Sequence, residues 1–131
     1  MNETIKSEMI KYRVQRADET IEEVNSHILN SYLHTAVNRI YYGIFYIVSA
    51  LALKFNFQTK NHGQLMGWFN REFIKTKIIP EKFSKIYRWA FNNRQSGDYD
   101  DFITFTKDEI EIQFGEMKEF IQEIKVKLSI E

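Results

Sequence analysis

The chain contains no cysteine, which removes disulfides, thiolate zinc sites and cysteine nucleophiles together and suits a cytoplasmic setting. Glycine and proline are scarce, five and one in 131 residues. Gly43, Gly63, Gly67, Gly97 and Gly115 are too scattered to form a phosphate-cradling loop, so a P-loop nucleotide hydrolase is excluded. No Asn-Gly or Asp-Gly pair and no long apolar/polar alternation is present, which argues against hairpins and sheets. Met1 to Arg16 is mixed and polar, without the basic-then-apolar order of a signal peptide, so export is not expected. His27, His34 and His62 lack the i, i+4 or Glu-x-x-His spacing of metal-binding helices, so neither a metal nor another cofactor is expected. Glu23 and His27, one turn apart, read as a solvated pair.

Surplus charge of one sign is also missing overall: 18 basic residues balance 18 acidic ones, unlike a general nucleic-acid binder. The distribution is less even. Residues 54–94 carry nine Lys and Arg against Glu72 and Glu81, a net +7, whereas residues 95–131 are net −6 and residues 1–53 net −1. The basic middle could face a phosphate or an acidic partner, or neutralise the acidic last helix.

Hydrophobic content of 44% in a chain of this length supports one core, so residues 1–131 read as a single domain. The apolar period is helical almost throughout, which predicts an all-α, up-and-down bundle of four to five helices. A first helix is expected over about Ile5 to Asn30, with Tyr12, Ala17, Ile21, Val24 and Ile28 as its apolar stripe. A second spans about Ser31 to Phe55 and has no charged residue from Ile40 to Leu53. Those 14 uncharged residues, three of them tyrosine, fall short of the roughly 20 that cross a bilayer, so protein must cover them. A small bundle cannot easily surround a helix on every side, which points to a homodimer. Phe57 to Gly63 reads as a loop. A third helix runs from about Gln64 to Lys75 with Leu65, Trp68, Phe69 and Phe73 inward. A fourth starts at Pro80, preorganised for a first turn, and carries Phe83, Ile86, Tyr87, Ala90 and Phe91 to Arg94. Thr106-Lys107-Asp108-Glu109 is a capping box opening the last helix, with Ile110, Phe114, Met117, Ile121, Ile124 and Leu128 inward.

Two segments stand out chemically. Asn93-Arg94-Gln95-Ser96-Gly97-Asp98-Tyr99 sets an arginine, a carboxylate and a phenol in one break between helices, where the guanidinium fork could address a phosphate. In Asn38-Arg39-Ile40-Tyr41-Tyr42-Gly43-Ile44-Phe45, Arg39 and Tyr42 share a face and Tyr46 extends it. The plainer reading makes Arg94 part of a loop ion pair and sets Arg39 at the entry of a buried helix, paired with a carboxylate such as Asp98.

Arg39, Tyr41, Tyr42 and Phe45, then Lys60, His62, Gly63, Phe69 and Phe73, then Arg94, Gly97, Asp98 and Tyr99, taken in order, resemble the HEPN domain family over most of the chain. The resemblance implies a helical bundle, usually dimeric, often encoded beside a minimal nucleotidyltransferase and acting with it in toxin–antitoxin-like pairs. Many members are metal-independent ribonucleases marked by an arginine followed after four to six residues by a histidine. Here Tyr99, Asp100 and Asp101 occupy those positions, so the histidine that would move the proton is missing. The Arg-Asp-Tyr form looks like the nucleotidyltransferase-associated branch. Two readings follow. In the first, the chain is a binding or regulatory module whose Arg94, Asp98, Tyr99, Arg39, Tyr42, Lys60 and His62 engage a nucleotidyltransferase, a nucleotide or RNA. In the second, it is a diverged ribonuclease in which Arg94 stabilises charge on a phosphate and Tyr99, or His62 supplied across a dimer, handles the proton.

Overall fold

A computed structural model describes residues 2–95 and 104–129. The described residues form five α-helices: α1 (Glu3–Leu29), α2 (Leu33–Lys54), α3 (His62–Phe69), α4 (Lys82–Asn93) and α5 (Lys107–Lys127). Among the described residues there is no strand. The all-α bundle expected from the apolar period is the one observed.

Helix α2 is the axis of the bundle and touches each of the other four. By length and composition it could cross a membrane, yet 67% of its most apolar stretch is buried within the protein. Ile40, Tyr41, Gly43, Ile44, Ile47, Val48 and Ala50 to Leu53 are all buried. The expectation that this helix is covered on every side holds with one exception: Tyr42, Phe45, Tyr46 and Ser49 form a half-exposed stripe. Each large apolar side chain removed from water contributes about 1.5–3 kcal/mol, so this helix anchors the domain.

With so little glycine, the chain turns its helix ends on other residues. Ser31 and Asn56 adopt left-handed conformations, φ 59° and 62°, after α1 and α2. In both turns the residue beyond donates back across six residues, Tyr32 to His27 at 2.8 Å and Phe57 to Ala52 at 2.9 Å, closing Schellman motifs. Lys77, φ 65°, does similar work before Ile79 donates to Phe73.

Several boundaries differ from those expected. α3 begins at His62, not Gln64, because the Asn61 side chain accepts from the Gln64 amide at 2.9 Å and caps the helix. It then widens into a π-helical turn, Asn70–Ile74, closed by Lys75 donating to Asn70 at 2.8 Å. Pro80 lies two residues before α4, and its carbonyl accepts from Phe83 in the tight turn leading into the helix. On α1 the buried positions are Val14, Ala17, Thr20, Val24 and Ile28; Tyr12 is exposed and Ile21 half-buried, so the inward stripe is rotated from the one expected. The capping box at Thr106 and Glu109 is present in both directions, and the expected stripe of the last helix is buried, with Phe120 added.

The charge question has a divided answer. Lys82 pairs with Glu119 of α5, while Lys60, Lys75, Lys77, Lys85 and Arg88 are exposed. Lys125 reaches Asp18 at 2.7 Å and ties α5 to α1.

At Gly43 side chains from both α1 and α5 crowd against α2. A Cβ there would overlap Met117 Cε and stand 2.6 Å from Thr20 Oγ1. Met117 can shift, but Thr20 is fully buried on α1. Gly43→Ala is therefore expected to lower the unfolding free energy by about 1–3 kcal/mol, and Thr20→Ala in the same chain to restore part of it, as read from denaturant midpoints of the two single variants and the double variant.

Candidate functional site

The chemistry-bearing residues gather around one buried phenol. Tyr41 is fully buried on α2, and its hydroxyl lies 2.7 Å from His62 Nδ1 at the start of α3. The His62 ring stacks on Phe45 at 4.5 Å and 14°, and lies 5.7 Å from the Tyr41 ring. From α4, Arg94 brings its guanidinium over the Phe91 ring at 4.0 Å and over the Tyr41 ring at 5.3 Å. It also donates to the Phe91 carbonyl. The Arg94 carbonyl accepts from Asn38 Nδ2 at 3.0 Å, fastening the end of α4 to α2.

The local sequence explains why these groups converge. Asn38, Tyr41 and Phe45 lie at i, i+3 and i+7, so one face of α2 presents an amide, a phenol and a ring in series. Asn61 starts α3 at His62 and fixes the imidazole over that face. The helix end at Asn93 leaves Arg94 as the capping residue, free of a full helical turn.

Electrostatics sets the protonation states. Burial pushes the Tyr41 phenol up; Arg94 pulls it down in part and Tyr42 adds a smaller upward push. Burial first, and the positive charge of Arg94 second, hold the His62 imidazole below its ordinary range. Both groups are therefore neutral at pH 7. The contact admits two tautomers: a phenol donating to Nδ1 puts the imidazole proton on Nε2, whereas Nδ1–H donating to the phenol oxygen leaves Nε2 as an open acceptor. The arrangement thus sets a fixed positive charge beside a neutral imidazole, which suits binding of an anion or withdrawal of a proton next to one.

The remaining expected residues are distributed around this cluster. Tyr42 stands at its rim, 6.1 Å from His62 and 5.2 Å from Tyr41. Arg39 covers the Tyr42 ring at 5.2 Å and meets Glu23 of α1 at 3.2 Å. Among the described residues the carboxylate that meets Arg39 is Glu23; Asp98, the one expected for it, lies outside them. Lys60 lines a cleft of about 460 Å³ with Arg13, Phe45 and Phe57. Asp98 and Tyr99 lie outside the described residues. His62, expected across a dimer as one of the two proton carriers beside Arg94, meets the same Tyr41 ring as Arg94 within one chain. Tyr41 as the hub, with Asn38 and Phe91 as supports, was not singled out as a site from the sequence; the i, i+3 spacing of Asn38 and Tyr41 on a charge-free helix was the available signal.

Two consequences can be measured. Tyr41→Phe keeps the ring and removes the hydroxyl partner of His62, and is expected to cost about 1 kcal/mol in unfolding free energy. His62 sits below its unfolded-state value of about 6.5, so the unfolded chain takes up the proton first as pH falls. Its contribution to stability is present above pH 6.5 and lost as pH falls through the lower folded value. His62→Gln should flatten that part of the stability profile, measured by denaturant titration between pH 5 and 8.

Comparison with known proteins bears on the whole chain. Residues 10–127 match the family model described as the HEPN domain. The "UPF0332 protein" of Thermotoga maritima is 35% identical over 125 residues, covering 95% of this chain and 93% of its own length. A protein of Methanocaldococcus jannaschii named "Putative toxin" is 34% identical over 98 residues, covering 75% of this chain and 67% of its own.

Proposed function

The chain belongs to the HEPN domain family, and on that premise we propose that it is the HEPN member of a toxin–antitoxin-like pair, a binding or regulatory module that works with a minimal nucleotidyltransferase. The similarity to a relative named as a toxin supports the pairing. The observation that carries the choice of surface is the Arg94–Tyr41–His62 cluster, with a guanidinium carried on aromatic faces beside a neutral imidazole. Such a guanidinium is oriented before any partner arrives, so a phosphate or carboxylate meets a preformed fork. The ligand side is the nucleotidyltransferase itself, a nucleotide or RNA. The half-exposed Tyr42, Phe45 and Tyr46 stripe supports a homodimer formed along α2, and the setting proposed for it is the cytoplasm.

A second reading is favoured by one feature, the approach of His62 to Arg94 within a single chain. In it the protein is a diverged, metal-independent ribonuclease: Arg94 stabilises the developing charge on a phosphate, and His62, neutral at pH 7 with Nδ1–H donating to Tyr41, accepts the proton of the attacking hydroxyl at Nε2.

One set of experiments separates them. Tagged protein and its Arg94→Ala variant are used to capture partners from native lysate, with bound protein read by mass spectrometry and bound nucleotide by absorbance. The module reading expects a nucleotidyltransferase-like protein or nucleic acid with the wild type only. It also expects RNA binding whose salt dependence falls by about 0.7 in logarithmic slope when Arg94 is removed, and no strand cleavage. Metal-free cleavage abolished by both Arg94→Ala and His62→Gln would select the ribonuclease. Equal capture by wild type and Arg94→Ala would refute a working role for this surface.

A further inference from the structure

Arg13 of α1 is a half-buried cation that no carboxylate meets among the described residues. Its Nη1 donates to the Ser49 carbonyl of α2 at 2.9 Å, which fixes the guanidinium against the central helix. Arg16 and Arg39, which rest on the Tyr46 and Tyr42 rings of the same helix, are each matched by a glutamate, Glu19 at 2.8 Å and Glu23 at 3.2 Å. Arg13 differs from both. Burial holds it below its ordinary range, and no neighbouring charge raises it again. A guanidinium keeps its proton in a protein, so the charge stays in place.

The cleft of about 460 Å³ that Arg13 lines has Lys60 as its second cation and no carboxylate in its lining. Lys60 is exposed and likewise forms no ion pair among the described residues. Phe45, Ala52, Phe57 and Leu65 supply the apolar surface. Both rings are braced by partners outside the lining: Phe45 stacks on His62 at 4.5 Å and 14°, and Phe57 on Trp68 at 5.2 Å and 9°. The cleft therefore joins two cations to two aromatic side chains that are already held in place, at a size within the range of about 300–1,000 Å³ usual for small-molecule sites.

The lining selects the chemistry of the occupant. Two cations without an acid match a dianion, and a phosphate monoester carries about −1.5 to −2 at pH 7. Arginine offers such a group a fixed fork and lysine a mobile point charge. Bare phosphate would leave Phe45, Phe57 and Leu65 without a contact, whereas a flat ring can stack on either phenylalanine. We propose that this cleft binds a phosphate monoester carried on a planar ring, of about mononucleotide size, with the phosphate at Arg13 and Lys60 and the ring on the side of Phe45 and Phe57. A free mononucleotide and the 5′-phosphorylated end of an RNA both offer that chemistry. The site rests on Arg13 rather than Arg94, and stands whether or not the Arg94 surface has the function proposed above.

Isothermal titration calorimetry of the intact chain tests this with adenosine 5′-monophosphate, phenyl phosphate, inorganic phosphate and adenosine. The nucleotide should bind saturably and phenyl phosphate should compete with it. Adenosine and inorganic phosphate, each lacking half of the match, should bind weaker by about tenfold or more. Lys60→Ala, at an exposed position, and Arg13→Gln should each weaken the nucleotide about tenfold and leave adenosine within about twofold, with circular dichroism checking that both variants stay folded. Arg94→Ala should leave the nucleotide bound as in the wild type. A 5′-phosphorylated RNA hexamer that binds more tightly than the mononucleotide assigns the cleft to an RNA end, and the reverse order to the free nucleotide. Equal binding of nucleotide and adenosine, no saturable heat at millimolar nucleotide, or full binding by both Lys60→Ala and Arg13→Gln would overturn the proposal. Loss of binding with Arg94→Ala alone would do so by moving the ligand to the other surface. Phe45 also belongs to the stripe proposed to meet a second copy, so nucleotide affinity that falls as the chain dimerises in light scattering would overturn it too, by giving the cleft to that copy.

Discussion

A helix with no charge from Ile40 to Leu53 has to be covered by protein on nearly every side, and the fold follows from that demand. α1, α3, α4 and α5 each pack against α2. Gly43 lets Thr20 and Met117 come close enough to close the gap that a larger residue would hold open. The covering leaves two features on α2 that are not purely apolar: the half-exposed stripe of Tyr42, Phe45 and Tyr46, and the buried hydroxyl of Tyr41. A buried hydroxyl needs a partner, and that need brings His62 to it.

The candidate site is thus a by-product of satisfying the interior. Once His62 is drawn to Tyr41, stacking on Phe45 fixes its plane, and the Asn38 hydrogen bond to the Arg94 carbonyl fixes the end of α4 above the same phenol. Arginine then rests on Phe91 and Tyr41 with its charge close enough to depress the imidazole. Each of these contacts has a structural reason, and together they place a permanent cation next to a neutral base.

Much of this was legible in the residues. The helical period gave the class, the charge-free stretch identified the central helix, and Thr106 and Glu109 announced the last helix through a capping box that is present. The start of α3 at His62 was missed although Asn61 and Gln64 stand at capping spacing, because Gly63 read as loop punctuation. Tyr12 was placed inward because it falls on an apolar repeat, but an amphipathic ring tolerates exposure and α1 turns Val14 and Thr20 inward instead. The π-helical turn at Asn70 has no sequence pattern that distinguishes it from a continued helix. The meeting of His62 and Arg94 was invisible for a different reason: residues on separate helices become neighbours only when the packing order is known, and period alone fixes faces, not neighbours.

The central claim is that His62 and Arg94 share one local field around Tyr41. The most direct measurement is a titration of the His62 imidazole by nuclear magnetic resonance, in the wild type and in Arg94→Gln. A His62 pKa below 6.5 that rises when Arg94 loses its charge is the predicted result. An ordinary His62 titration, unmoved by Arg94→Gln, would contradict the account and leave the two residues as unrelated parts of the scaffold.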